Sequence, residues 1–307
     1  MDSITLRAPA TIANLSCGFD VLGLCIKNPF DEIKITKNND CNVVISIQDS
    51  PFSDIPDNPN QNTGGIPAQL IIDHYNLDFG FNIDIKKGIP LCGGLGSSAA
   101  TAAGVVYGIN EILDKKLSFS NMIKYALEGE KLSSDSPHAD NIGPCIAGGL
   151  VLIRDTKSLD LINIPIDNYY FAIIHPDILI NTKSARKILP KKIDLDSAIK
   201  QWGNVASLTY GFSSKNIDLI KKSMKDYIIE PVRSKLIPAY DNIKNTALDN
   251  GAIGCSISGS GPSIFALCED RNKAEKILIL MEKVLLDNSI KYHSYVTSVN
   301  NQGIEIL

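Results

Sequence analysis

Residues 90–104, PLCGGLGSSAATAAG, hold the chemistry most easily read from this 307-residue chain. Gly93, Gly94 and Gly96 let the backbone turn tightly and come close to a ligand with no Cβ in the way. Ser97 and Ser98 then place hydroxyls at the start of an alanine-rich segment that reads as helix, where the first backbone N–H groups have no partner within the helix. Those donors and the helix dipole both favour negative charge, so strand, glycine loop and helix in this order form a cradle for a phosphate. The plain alternative is a helix entered through a flexible loop.

Two familiar phosphate loops fit this stretch poorly. The pattern G-x-x-x-x-G-K-[ST] needs a Gly-Lys pair that does not follow. The dinucleotide pattern G-x-G-x-x-G/A is met by Gly94, Gly96 and Ala99, but its context is wrong. The preceding run alternates Phe81, Ile83 and Ile85 with Asn82 and Asp84, which predicts a half-exposed strand and not a buried parallel one. Nor does a second buried strand ending in an acid follow at the required distance, since Glu111 and Asp114 lie in or at the end of the helix itself.

The elements that must position this loop follow from periodicity. Strand character marks residues 4–8, 32–36 and 43–47, and helical apolar spacing marks 66–75, 99–113 and 120–132. Buried strands are predicted at 148–154 and 169–175. Beyond them come helices over 197–210, 217–224 and 240–250, a strand pair at 253–258 and 263–268 around a glycine turn, a helix over 273–287 and a last strand at 294–299. Helices segregated onto antiparallel sheets give an α+β fold, divided into domains 1–163 and 164–307.

Composition excludes several classes. With 44% hydrophobic residues the chain can bury a sizeable core, and its net charge of −4 offers no general basic face for nucleic acid or a membrane surface. The seven cysteines show no C-x-x-C spacing and lie mostly in apolar runs, so they are expected to be reduced packing residues. No basic leader with an apolar core and no run of membrane-spanning length is seen, so a cytoplasmic protein is expected.

Three segments read together are more specific: 9–26 (PATIANLSCGFDVLGLCI), 90–100, and 254–267 (GCSISGSGPSIFAL). They resemble, in order and across the whole chain, the three signature motifs of the GHMP small-molecule kinases. Four further pieces resemble homoserine kinases in particular: His138, Asp140 and Asn141 followed by Gly143 and Pro144; residues 182–190 with Ala185 and Arg186; Glu230, Pro231 and Arg233; and Leu236, Ile237 and Pro238. The chain departs from the pattern at Ser16 and Cys17, where Gly and Pro are more usual, and at Cys92 and Gly93, where small polar residues are.

The resemblance implies a ribosomal-protein-S5-like N-terminal domain and a ferredoxin-like α/β-plait C-terminal domain. It implies ATP-dependent phosphorylation of the L-homoserine hydroxyl in threonine biosynthesis, with Mg²⁺, in a homodimer. By position it puts Pro90, Leu91, Cys92, Gly93, Gly94, Leu95, Gly96, Ser97, Ser98, Ala99 and Ala100 at the nucleotide, Asn62 near the adenine, and Ser98 with Glu130 on Mg²⁺. It puts Arg186 and Arg233 at the substrate carboxylate, Asn14 and Asp20 at its hydroxyl and amino ends, and His138 and Asn141 around the pocket. A guanidinium fork suits a carboxylate better than lysine, and a hydroxyl with a carboxylate suits a hard Mg²⁺ that retains waters. The base stays open. Asp140 is one candidate; the other is late proton transfer to the γ-phosphate or a water, with Asn14, Asn141 and Thr182 orienting the hydroxyl and Asp140 capping a helix. A GHMP kinase acting on mevalonate or a sugar would not need two arginines and an acid, and a non-catalytic sensor on this fold should have lost Ser98 or the glycine loop.

Overall fold

The computed structural model describes residues 1–52, 55–132, 139–167 and 169–307. Strands β1 (Ser3–Ala13) and β2 (Leu22–Asn38) form a long antiparallel ladder, Ser3 opposite Thr36 at one end and Ala13 opposite Gly23 at the other. Both run well beyond the predicted 4–8 and 32–36. The outer half of β1 alternates between buried and partly exposed side chains, whereas every residue from Ala8 to Ala13 is buried, which erases the period-2 signal. A register shift between Pro9 and Thr11 divides the two halves.

Next come β3 (Val43–Ile47), α1 (Gly65–Tyr75) and β4 (Gly80–Lys86), then α2 (Ser97–Ile112), α3 (Phe119–Glu130), α4 (Ala139–Ala147), β5 (Leu150–Asp155) and β6 (Asp160–Ile164). β4 pairs antiparallel with β2 and parallel with β3, and it has the alternating burial its sequence predicts. β5 pairs with the inner half of β2, and β6 with β5. α2 lies between this sheet and the other helices, buried almost all round. Its alanines and glycines permit that close approach.

The second sheet begins at β7 (Tyr170–Pro176). It continues through α5 (Thr182–Lys187), α6 (Leu195–Ser213), α7 (Ile217–Ser223), α8 (Glu230–Arg233) and α9 (Tyr240–Asp249) to β8 (Gly254–Ile257), β9 (Ile264–Cys268), α10 (Arg271–Asp287) and β10 (Tyr292–Ser298). Its order β10-β7-β9-β8, all antiparallel, is the fourth-first-third-second arrangement of a ferredoxin-like plait. Alternation divides its side chains between two cores. Ala172, Ile174, Ile264 and Ala266 pack with α9 and α10, while Phe171, Ile173, Phe265 and Leu267 join the core of the first sheet. The chain end then returns: Val299 bridges Ile26, and β11 (Glu305–Ile306) pairs with β1.

Sequence periodicity missed β6, α5, α8 and β11. β6 is largely solvent-facing and the others have six residues or fewer, too short for an apolar repeat to show. All seven cysteines are free; five are buried, while Cys41 and Cys92 are exposed, contrary to a purely packing role. Among the described residues no helix is long and apolar enough to cross a membrane.

Candidate active site

The loop from β4 to α2 is bent by Gly94 at φ 74° and Gly96 at φ 71°, a region costly to any residue with a Cβ. Space is lacking as well: a Cβ on Gly94 would sit 2.2 Å from the Ser258 carbonyl oxygen, and one on Gly96 2.2 Å from Thr11 Oγ1. The third motif closes on this loop from the other sheet. Ser258 Oγ donates to the Gly94 carbonyl at 2.6 Å, and the Ser263 N–H donates to that of Gly93 at 3.2 Å. Gly96 is the N-cap of α2 and supplies no side-chain cap, so the helix start presents its N–H groups to the cavity lined by Gly96, Ser97, Ser98 and Ala99.

Behind the cradle lies an ion pair that the sequence did not announce. Lys87 donates to Asp31 Oδ2 and, at 2.8 Å each, to the Ser97 carbonyl and Thr101 Oγ1. Asp31 Oδ1 accepts the Gly88 and Ile89 N–H groups at 3.0 and 3.1 Å. Burial pushes the Asp31 carboxyl up, against the pull of Lys87 and the two N–H groups. On the other side, His175 Nδ1 lies 3.1 Å from Ser263 Oγ, and its ring is 3.1 Å from where a Gly93 Cβ would stand. Burial, with the stacked His293 adding to it, lowers His175 to about 4.

The same cavity, about 460 Å³, extends to a second cluster. Asn14, Leu15, Ser16 and Asp20 all hold positive φ in the loop between β1 and β2. Ser16, where the resemblance expects glycine, takes φ 72°, so serine here occupies the backbone conformation glycine favours. Asp20 and Arg186 make a two-point ion pair at 3.2 and 2.5 Å. Arg186 and the buried Arg233 both stand over the Phe19 ring, 5.2 and 5.1 Å from its centre. The hydrogen bond to Asp20 raises Arg186 above its ordinary value, whereas burial lowers Arg233. Thr182 Oγ1 is 3.3 Å from Ser260 Oγ, and Asn141 Oδ1 accepts from Thr11 Oγ1 at 2.7 Å.

This acceptor-side cluster has its own framework. Gln201 on α6 donates to the Cys17 carbonyl at 2.7 Å and to Asp226 at 3.0 Å, and accepts the Tyr227 N–H. Asp226 in turn receives the N–H groups of Ile228, Ile229 and Glu230, fixing the start of the helix that carries Arg233. Glu230 is engaged by Lys244 and Ser256.

Of the residues singled out from sequence, Asn14, Asp20, Asn62, Leu91, Cys92, Gly93, Gly94, Gly96, Ser97, Ser98, Ala99, Glu130, Asp140, Asn141, Thr182, Arg186 and Arg233 line this one cavity. Leu95 and Ala100 instead point into the core, and Pro90 is buried beside the loop. The Asn62 side chain is committed to the Pro56 carbonyl and the Gly64 N–H. His138 lies outside the described residues. Asp140 is buried in the first turn of α4, where the helix dipole favours a carboxylate. Ser258 closes on the glycine loop as expected of the third motif, whereas Thr11, Phe19, Lys87 and Gln201 were missed. Each acts through a partner far away in sequence, for which local spacing gives no signal.

The Ser98 hydroxyl and the Glu130 carboxylate face the same cavity, a hard oxygen pair that fits Mg²⁺ shared with phosphates and water. No group of three or more His, Cys, Asp or Glu able to hold a metal occurs among the described residues, so the donor set does not suit a dedicated all-protein cage.

Residues 67–149 match the GHMP kinases N terminal domain, and residues 208–278 the GHMP kinases C terminal domain. The chain is 37% identical to a homoserine kinase of Chlorobium phaeobacteroides, with both covered in full. It is also 37% identical to one of Methanococcus vannielii, over 87% of this chain and 88% of that protein. A crystal structure of homoserine kinase from Cytophaga hutchinsonii superposes with a TM-score of 0.95 at 44% identity, covering 100% of this chain and 98% of that one. The fold is shared more widely: an L. major mevalonate kinase, 16% identical, gives a TM-score of 0.72 over 96% of this chain and 95% of that one.

Proposed function

The chain belongs to the homoserine kinase family of the GHMP kinases, and on that premise we propose that it transfers the γ-phosphoryl group of ATP to the side-chain hydroxyl of L-homoserine, a step of threonine biosynthesis. One observation supports this reading above the others. A glycine cradle for phosphates shares a cavity with an Asp20–Arg186 pair and a buried Arg233, the set of charges a zwitterionic amino acid requires.

In this reading the N–H groups of 93–98 hold the phosphates, and Asn62 shapes the adenine end through the loop it ties together. Ser98 and Glu130 would hold Mg²⁺, which would supply neutralisation of the phosphate charge. Asp20 and Arg186 open their pair as substrate enters: Asp20 takes the ammonium, while Arg186 and Arg233 take the carboxylate. One internal ion pair is thus exchanged for two, which limits the desolvation cost of binding. Phe19 gives both guanidinium groups one aromatic ring to rest against.

Asn14, Asn141 and Thr182 orient the substrate hydroxyl toward the γ-phosphorus. The new O–P bond forms as the bond to the ADP oxygen breaks, and the hydroxyl proton leaves late to a phosphoryl oxygen or to water. Asp140 serves the field at the start of α4 and not as an obligatory base. The proposal includes a cytoplasmic location, homodimeric assembly, and a division of the chain expected at residues 163/164, which falls one residue inside the end of β6 and so belongs just after Ile164.

ADP release measured against L-homoserine, L-serine, L-threonine, mevalonate and galactose tests the assignment. Turnover confined to L-homoserine is expected; efficient turnover of mevalonate or galactose would overturn it.

A further inference from the structure

Helix α6 has two apolar faces. Ala198, Leu208 and Phe212 turn inward with Gln201. On the opposite side Leu195, Ile199, Trp202 and Tyr210 are 66, 52, 62 and 66% exposed, and Ala206 between them is exposed too. At 3.6 residues per turn these five positions fall within roughly a quarter of the helix circumference. Ile188 and Ile193, which lead into the helix, are exposed as well. Two side chains of the stripe are aromatic, a class that buries about 150 to 250 Å² each when fully covered, so with Leu195, Ile199 and the isoleucines before the helix the stripe is comparable to the ~300–600 Å² of the largest apolar patch on an ordinary monomer.

We propose that this face of α6 seats a second copy of the chain, the two α6 helices lying antiparallel across a two-fold axis between Trp202 and Gly203. The order of side chains supports this occupant. About that centre Ile199 faces Ala206 of the other copy and Leu195 faces its Tyr210, so bulky meets small near the axis and the ends are closed by large residues. The two Trp202 rings meet beside the axis. A Cβ placed on Gly203 would find nothing within 4 Å, so the flank there is open to close approach. Charges agree: Asp196 falls opposite Thr209 and Lys200 opposite Val205, so no like charges confront each other, and antiparallel dipoles attract. The same patch lies on both copies, as a two-fold interface demands. Covering it on both sides removes on the order of 1,200 Å², the lower bound of a specific interface before any polar rim is added.

This surface gives a location to the homodimeric part of the proposed function and does not depend on the acceptor's identity. Trp202 is the single tryptophan of the chain, so its emission reports the interface directly. Sedimentation velocity and fluorescence are followed from submicromolar to tens of micromolar protein. The expected result is a rise from 33.3 kDa to twice that mass, accompanied by a blue shift of Trp202 emission. Ile199→Glu and, independently, Ala206→Arg should abolish both changes and keep the unfolding temperature. A dimer that persists in these variants, or whose Trp202 emission stays that of an exposed indole, overturns the surface while leaving homodimerism intact. A monomer at every concentration overturns both.

Discussion

Asn14 and Arg233 donate to one acceptor: the Gly259 carbonyl oxygen lies 2.9 Å from Asn14 Nδ2 and 2.9 Å from an Arg233 guanidinium nitrogen. The first motif, the buried arginine and the turn of the third motif are therefore locked together at a single atom. The same turn holds the phosphate loop through Ser258 and Gly94. Acceptor pocket and nucleotide cradle thus share a wall.

Arg233→Met separates the two. Asn14 still holds Gly259 in this variant, so the turn and the cradle should persist while the carboxylate loses its fork. Truncating one member of a dehydrated charge pair costs about 2 to 5 kcal/mol, so kcat/KM for L-homoserine should fall roughly 30-fold to several thousand-fold. Nucleotide affinity should be nearly unchanged. Isothermal titration with a nonhydrolysable ATP analogue beside steady-state kinetics decides the matter; equal loss of both would place Arg233 at the phosphates.

Gly94→Ala should disable the cradle. Its left-handed φ alone costs a residue with a Cβ about 1 to 2 kcal/mol, and the methyl would press on the Ser258 carbonyl. Loss of nucleotide binding together with a lowered unfolding temperature is expected, because the contact between the two sheets is pushed apart. Nucleotide affinity equal to that of the parent would show that the loop does not bear on phosphates.

How far the site could be read from sequence depended on where its partners lay. The cradle was legible because glycines, serines and the helix they open are contiguous, and β4 because its outer face is wet. Lys87 and Asp31 were not: they are 56 positions apart, and a lysine closing a strand normally reads as solvated. Gln201 looked like an ordinary helix residue, yet it reaches Cys17, 184 positions away. The inner half of β1 was hidden for the opposite reason, since burial on both faces removes alternation.

Lys87→Met should be severely destabilising. It strands the fully buried Asp31 carboxylate, and breaking one side of a buried pair costs about 3 to 5 kcal/mol. Adding Asp31→Leu removes the stranded charge and should recover much of that loss. Denaturant unfolding of the two single variants and the double one closes the cycle; additive losses would mean that the pair is not coupled.

Ser98→Ala should leave the fold intact, since alanine is the better helix former in the first turn of α2. Turnover should fall at limiting Mg²⁺ and recover in part as Mg²⁺ is raised. Mn²⁺ binding followed by electron paramagnetic resonance in the presence of ADP gives a readout apart from activity. Unchanged affinity there would remove Ser98 from the metal.

His175 sets an acid limit to stability. In the unfolded chain it protonates near its ordinary 6.5, while in the fold burial, aided by His293 and opposed by Asp177, holds it neutral to about 4. Between these values the unfolded state binds more protons, so this contribution is fully present above pH 6.5 and is lost as pH falls toward 4. At about 1.4 kcal/mol per pKa unit the loss approaches 3 kcal/mol. Other groups titrate in the same range, so the informative quantity is the difference from His175→Gln, which cannot be protonated. Unfolding free energies of the two proteins should diverge with pH, the parent losing its advantage between pH 6.5 and 4. Because His175 contacts Ser263, whose N–H holds the Gly93 carbonyl, nucleotide affinity of the parent should weaken over the same interval while that of the variant changes less. Parallel curves for the two proteins across that window would mean that His175 gains its proton without cost to the fold.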